Sequence, residues 1–213
     1  MSKRRPLVVK IGGGLLRDEG LEGLRWACAE VSEMADRRPV LVVPGGGPFA
    51  DAVRALDARV GLPDDVAHAL ALRAMDQLGL LLATLLPGAE LLAELVAPGS
   101  IGLLAAAPAF AGRPDVPESW AVTSDSLAVL AAGAIGAEEA VLLKPVAGVL
   151  ASWPSDGPPV PVLTAGELRA LQDAGGGRVV DPWLPTAVCR TGVRVRIRAP
   201  GGGCRSGTSV TPR

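Results

Sequence analysis

The chain has no tyrosine, two phenylalanines and four tryptophans among 213 residues. Aromatic platforms for stacking nucleic-acid bases are therefore not expected. It also lacks a charge excess, with 21 Lys and Arg against 22 Asp and Glu and a net charge of -1. A polyanion-binding face needs a basic surplus, so nucleic acid is not an expected partner. Histidine is reduced to His68, and cysteine to Cys28, Cys189 and Cys204. No CxxC occurs, and an odd cysteine number fits unpaired thiols in a reducing compartment. Too few ligands remain for a zinc site, and no metal-ligating residues are assigned. Long apolar spans are missing too. Lys3, Arg4 and Arg5 imitate the start of a secretion signal, but Lys10 and Gly12 to Gly14 break the run that follows. The uncharged stretch from Gln77 to Ala89 is too short for a bilayer and contains Pro87 and Gly88. These absences predict a cytoplasmic protein with no membrane partner.

What is present is apolar residues in short, punctuated runs. They make up 49% of the chain, ample for one large α/β core. Leu7 to Ile11, Val40 to Val43 and Ala140 to Leu143 read as buried strands. Leu21 to Arg37 reads as a helix with Leu21, Leu24, Cys28, Val31 and Met34 or Ala35 on one stripe. Pro48 to Val60, Pro63 to Leu86 and Ser124 to Ile135 read as further helices. Ala89 to Val96 and Ile101 to Ala105 are short elements of undecided type. Arg113 to Ser119 and Ala151 to Pro161 are loops. Thr164 opens a helix, with Glu167 completing a capping box, and Gly175 to Gly177 end it. Val193 to Ile197 is a late strand. The β-α-β-α order predicts a parallel sheet with helices on both faces. One domain is expected over 1–199. The glycine-rich segment 200–213 is either a final strand or a poorly ordered tail.

Two of the strands end in glycine clusters, in "VVKIGGGLL" and "LVVPGGGPFADAV". Glycines after a strand can turn their N–H groups toward an anion, and a following helix adds its positive end. Lys10 would bring a mobile cation to the same place. Oriented N–H groups and a cation are what phosphoryl transfer needs. Two other readings stand beside this one. The glycines could simply make tight turns. Alternatively, Gly45, Gly47 and Ala50 match G-x-G-x-x-A of a dinucleotide fold, with Asp64 or Asp65 as the ribose acid. The P-loop pattern occurs nowhere.

Two more stretches carry polar groups where a parallel sheet gathers ligands. In "SWAVTSDSLAVLAA", Thr123, Ser124, Asp125 and Ser126 crowd a helix start, more than one N-cap needs. In "AVLLKPVAGVL", Lys144 ends a buried strand as Lys10 does. Two lysines at two strand ends suggest one polyanionic ligand between them.

These four stretches, in this order and with "VVDPWLPTAVCRTGVRVRI" near the end, resemble the amino acid kinase superfamily. The resemblance implies a three-layer αβα sandwich around a mainly parallel sheet, with ATP and Mg2+ as donor. Apolar helices such as Ala67 to Leu86 make a homo-oligomer the expected assembly. Lys10, Gly12, Gly13 and Gly14 would hold the transferring phosphate. Lys144, Val146 and Gly148 would lie at the nucleotide. Gly45, Gly46 and Gly47 would hold the acceptor side with Thr123 and Ser124, and Asp125 would organise the lysines.

A narrower likeness, in "AHALALRAMDQLGLLLA" and "PESWAVTSDSLA", is to the branch containing the aminomethylfuran-phosphate kinase of methanofuran biosynthesis. Within it, His68 and Asp76 are substrate-facing candidates. Their plain alternatives are a core histidine and a surface Arg73–Asp76 pair. The chain departs from the family in three places. Gly14 stands where serine is usual, "KPVAG" stands for "KDVDG" or "TDVDG", and the last connection is shortened. The expected function is a small-molecule kinase that phosphorylates a small anionic acceptor at a phosphate or carboxylate. The alternative is a nucleotide-binding or storage protein of the same fold without turnover.

Overall fold

The computed structural model of the chain describes residues 4–152, 157–202 and 206–213. The expectations on Lys3 and Cys204, and the middle of the 151–161 loop, fall outside these. The elements run in chain order as β1 (Leu7–Ile11), α1 (Gly13–Ala35), β2 (Val40–Pro44), α2 (Gly47–Val60) and α3 (Asp64–Leu85). Next come β3 (Glu90–Leu92), β4 (Ile101–Leu104), α4 (Ala106–Phe110), α5 (Ser124–Ala134) and β5 (Glu139–Leu143). The last are β6 (Val162–Thr164), α6 (Ala165–Asp173), α7 (Leu184–Thr191), β7 (Arg194–Arg198) and β8 (Thr208–Thr211).

The described strands form one eight-stranded sheet in the order β3-β4-β2-β1-β5-β7-β8-β6. Every pairing is parallel except β7 with β8. The α/β expectation holds, with a mainly parallel sheet between helical layers. Because β1 sits between β2 and β5, its carboxyl end is the place where the chain turns both ways, the crevice where open α/β sheets bind ligands.

Alternation sorts the strand residues into two cores. Leu7, Val9 and Ile11 pack with Val42, Val141 and Leu143 against Leu24 and Val31 of α1 and Leu78 and Leu82 of α3. Val8, Val43, Leu142 and Val195 pack on the other side, against Leu127 and Ala131 of α5 and Val188 of α7. Each such fully buried Val or Leu contributes about 1.5–3 kcal/mol. The same alternation turns Lys10 toward the α5 side.

Several boundaries differ from the sequence expectation. The helix after β1 begins at Gly13, kinks at Gly20 (φ 62) and continues to Ala35. Leu21, next to that kink, is exposed rather than on the buried stripe. The undecided stretches after α3 are parallel strands. The expected late strand is present as β7, and α7 forms just before it, over a stretch to which no element was assigned. The tail resolves into β8, antiparallel to β7 in the sheet. The capping box is present as expected, with Glu167 N–H donating to Thr164 Oγ1 and Thr164 N–H to Glu167 Oε2. The helix α3 is long and apolar enough by composition to cross a membrane. Here its stripe, including Leu72, Leu78 and Leu82, is packed inside the molecule.

The closing end of the sheet is tied to α1 by a buried ion pair. Arg198, at the end of β7, pairs with Glu30, which also accepts the Gly201 N–H at 3.0 Å. Arg198 is 2% exposed, so removing its partner leaves a buried charge unmatched. Glu30→Ala is therefore expected to lower unfolding stability by about 3 kcal/mol in urea titration. A loss under about 1 kcal/mol would mean that the pair is solvated and does not tie the two elements.

Candidate functional site

The two glycine clusters meet backbone to backbone at the carboxyl ends of β1 and β2. The Gly45 N–H donates to Ile11 O at 2.8 Å, and the Gly12 N–H donates to Leu143 O at 2.8 Å. A Cβ on Gly13 would lie 2.1 Å from Gly47 N, and one on Gly45 would lie 2.5 Å from Gly13 N. Any side chain at these positions would push the loops apart. Gly47 also has φ 52, a conformation open to glycine and strained for others. Part of the glycine demand is therefore loop against loop. Gly45 is consumed by it and lines neither cavity described below.

Three charged side chains converge beside these loops. Lys10 Nζ lies 3.0 Å from Asp125 Oδ1, an ion pair off the hydrogen-bond direction. Lys144 Nζ donates to Asp125 Oδ2 at 2.6 Å and to the Val179 carbonyl. One carboxylate thus holds both lysines. Lys10 is 4% exposed and Asp125 3%, so this pair is buried at the sheet end. Burial pushes the Lys10 ammonium down to about 8, against the pull of Asp125. Burial alone would raise the Asp125 carboxyl, but Lys10 and Lys144 outweigh it and hold it at about 2.

A second buried acid, Asp181, fixes the start of α5 and was not singled out in the sequence. Its carboxylate accepts from the Thr123 N–H at 3.0 Å, the Thr123 hydroxyl at 2.9 Å, the Ser126 N–H at 3.0 Å and the Ser126 hydroxyl. The hydroxyls of Thr123 and Ser126 thus serve Asp181, while the cap of α5 comes from 55 residues away. Burial, and then Asp125, push the Asp181 carboxyl up, and the hydrogen bonds from the Ser126 hydroxyl and from the Ser126 and Thr123 N–H groups oppose the shift. The signal for it was an acid inside the apolar stretch "VVDPW".

Two cavities flank the lysines. The first is lined by Gly13, Gly46 and Gly47, by Thr123, Ser124 and Asp125, and by His68, Leu72 and Met75 of α3. The second is lined by Gly12, Pro145, Val146, Arg178 and Val179. Lys10, Gly14, Arg17 and Lys144 border both. His68 is 7% exposed, and its Nε2 has no hydrogen-bond partner, so it is not a satisfied core histidine.

Two candidates lie elsewhere. Asp76 accepts from the backbone N–H groups of Ala106 (2.5 Å) and Ala107 and caps α4, neither facing a cavity nor pairing with Arg73. Gly148 packs on β8, where a Cβ would meet Thr208 Oγ1 at 2.7 Å, and lines neither cavity.

The second cavity suits a polyphosphate: Lys10, Lys144, Arg17 and Arg178 line it with one carboxylate, Asp18, which is paired with Arg17 at 3.0 Å. It does not suit a protein-held Mg2+. Among the described residues no cluster of three or more His, Cys, Asp or Glu could hold a metal ion.

A profile of the amino acid kinase family matches residues 5–199. The chain is 26% identical over 171 residues, 77% of its length and 76% of the relative's, to the [5-(aminomethyl)furan-3-yl]methyl phosphate kinase of Methanocaldococcus jannaschii. Its fold is similar to uridylate kinase from Archaeoglobus fulgidus, with a TM-score of 0.75, 19% identity, and 96% and 99% of the two chains covered. It is also similar to aspartate kinase from Synechocystis, with a TM-score of 0.74, 17% identity, and 98% of this chain and 40% of that one covered.

The loop contacts separate two adjacent glycines. Gly13→Ala forces backbone against backbone and is expected to cost more than about 2 kcal/mol, in the range of overpacking. Gly14→Ala meets only side-chain atoms, the nearest being Pro145 Cγ at 3.2 Å, and should cost under about 1 kcal/mol. Paired thermal melts check the order, and equal losses would contradict the loop-on-loop contact.

Proposed function

The chain belongs to the amino acid kinase family and is a small-molecule phosphotransferase; from that premise we propose that it moves the γ-phosphoryl group of ATP onto the phosphate of an aminomethylfuran phosphate. The observation that carries this reading is the position of Lys10 and Lys144, which border both cavities and share one carboxylate. ATP occupies the second cavity with its polyphosphate among Lys10, Lys144, Arg17 and Arg178. The acceptor occupies the first, with its phosphate at Gly13, Gly46 and Gly47.

An acceptor oxygen attacks Pγ, a new P–O bond forms, and the bond from Pγ to the β–γ bridging oxygen breaks. ADP and a diphosphate ester leave. The two ammonium groups face the charge on the migrating group from fixed positions, so little reorganisation is needed as it transfers. No general base is required, because a phosphate acceptor is already ionised near neutral pH. Asp125 is unsuited to that role, with both oxygens on lysines. The anionic acceptor and the 26% identity to an enzyme named for such a substrate support the choice. A homo-oligomer is part of the same reading, supported by Leu80 at 66% exposure and Leu91 at 63%.

A coupled ADP-release assay with aminomethylfuran phosphate, UMP and simple carboxylates tests the proposal. Tight ATP binding with no acceptor-dependent turnover would replace it with the storage reading. Lys10→Met should lower kcat by about 10²–10³ and leave the fold intact, since Lys144 still pairs with Asp125. Asp125→Asn should lower kcat and also the melting temperature, because the buried Lys10 and the partly buried Lys144 lose their counter-charge. Their combined effect on kcat should be less than additive. Full activity in Lys10→Met would refute the assignment.

The pH profile has a definite sign. Lys10 must be protonated to act, and its pKa in the free protein is lowered to about 8. So kcat/KM, which reports the free enzyme, should fall as pH rises through about 8. Bound phosphates stabilise the ammonium, so the limb in kcat should lie at higher pH. Stability moves the other way. The folded-state pKa lies below the unfolded one, so charged Lys10 opposes folding at low pH and that penalty fades between about 8 and 10.5. A flat kcat/KM from pH 7 to 9.5 would contradict a buried catalytic Lys10.

A further inference from the structure

The first cavity carries opposite chemistry on α3 and at the lysines. At the strand ends are Lys10 and Lys144 and the glycine backbone, all suited to an anion. On α3 it is lined by Asp64 and His68, four residues apart and so one turn apart on the same face. Gly79 of α3 packs beside Pro44 at the end of β2. His68 is 11 residues earlier, roughly 16 Å from Gly79 along the helix axis. Leu72 and Met75, which follow His68 on α3, and Leu127 of α5 line the same cavity.

The α3 end lacks partners for its polar groups. Asp51, which also lines the cavity, is neutralised by Arg17 at 3.3 Å and Arg54 at 3.0 Å. The Asp64 carboxylate has no hydrogen-bond or ion-pair partner among the described residues. His68 is buried with Nε2 unpartnered. Burial lowers its pKa, against the pull of Glu118, so the ring is neutral at pH 7 and has a lone pair to accept a hydrogen bond. A free carboxylate and a neutral imidazole one turn apart accept hydrogen bonds and repel anions.

We propose that Asp64 and His68 bind a primary ammonium group of the acceptor, so that the cavity selects a zwitterion with its phosphate at the lysines and its amine at α3. This rests on reading the cavity as the acceptor site. The apolar wall of the same cavity takes the small flat body that joins the two charges.

The test uses two phosphomonoesters with the same furan ring, one bearing the aminomethyl group and one lacking it. Turnover with ATP and calorimetric binding in the presence of a non-hydrolysable ATP analogue are both measured. The wild-type protein should prefer the amine by roughly 10–100-fold in kcat/KM, the range for a charge-assisted hydrogen-bonded contact. Asp64→Asn and His68→Leu should each reduce that ratio by roughly tenfold, mainly through KM, and Asp64→Glu should restore part of it. A purely structural role would lower both substrates alike and leave the ratio unmoved, which would overturn the inference. Equal use of both esters by the wild-type protein would also overturn it while leaving the kinase reading standing. If neither ester binds or is phosphorylated, the furan-phosphate acceptor and this inference fall together.

Discussion

Everything at this site depends on one carboxylate, Asp125, holding the buried ammonium group of Lys10 and the partly buried one of Lys144. Taking charges from water costs several kcal/mol per ion even after relaxation, so the cluster is a poor device for stability. Two lysines and one aspartate leave it with a surplus positive charge between two cavities. An anion placed there offsets part of the burial penalty. The cluster is thus better adapted to a bound polyphosphate than to the empty protein, a property expected of a preorganised site.

The fold supplies the three charges from three directions. Lys10 comes from β1, Lys144 from the end of β5, and Asp125 from the first turn of α5. Parallel pairing of β1 with β5 brings Lys10 opposite Leu142, two residues before Lys144. Asp181 then fixes α5 from a distant part of the chain, so the orientation of Asp125 does not depend on α5 alone. The glycine contacts do the same for the loops. Because Gly45 packs on Gly13 and lines neither cavity, the match to G-x-G-x-x-A reflects packing. The two candidates for the ribose acid, Asp64 and Asp65, both belong to the first turn of α3, and Asp64 lines the wall of the first cavity.

The residues legible in the sequence were those at the ends of strongly apolar strands. Lys10, Lys144 and the glycine clusters stand out because a lysine or three glycines interrupt Val- and Leu-rich runs. Asp125 stood out through its crowded polar neighbours. What could not be read depends on partners distant along the chain. Asp181 looks like a loop residue until its four hydrogen bonds to Thr123 and Ser126 are seen. Asp76 has the spacing of a cavity residue, yet its carboxylate is held by the N–H groups of α4, about 30 residues later. The first turns of α1 were hidden because three glycines argue against helix, while the contact with the second loop holds them in it. Gly148 likewise follows the family pattern but serves β8, a strand hidden in a glycine-rich tail.

The departures from the family pattern are coupled in space. A Cβ at Gly14 would stand 3.2 Å from Pro145 Cγ and 3.3 Å from Arg17 Nη2. Serine at 14 and proline at 145 would therefore compete for the same volume, and glycine resolves the conflict. The electrostatic result has one direction. Proline and alanine at 145 and 147 remove two acids close to Lys144. The second cavity keeps Lys10, Lys144, Arg17 and Arg178 with one carboxylate, Asp18, already paired. Its potential is therefore more positive than the usual pattern would give. A more positive groove attracts a nucleotide's phosphates more strongly and offers a metal ion fewer ligands. The stretch "KPVAG" thus leaves the second cavity with more cationic than acidic groups, while the Lys10–Asp125–Lys144 cluster remains intact.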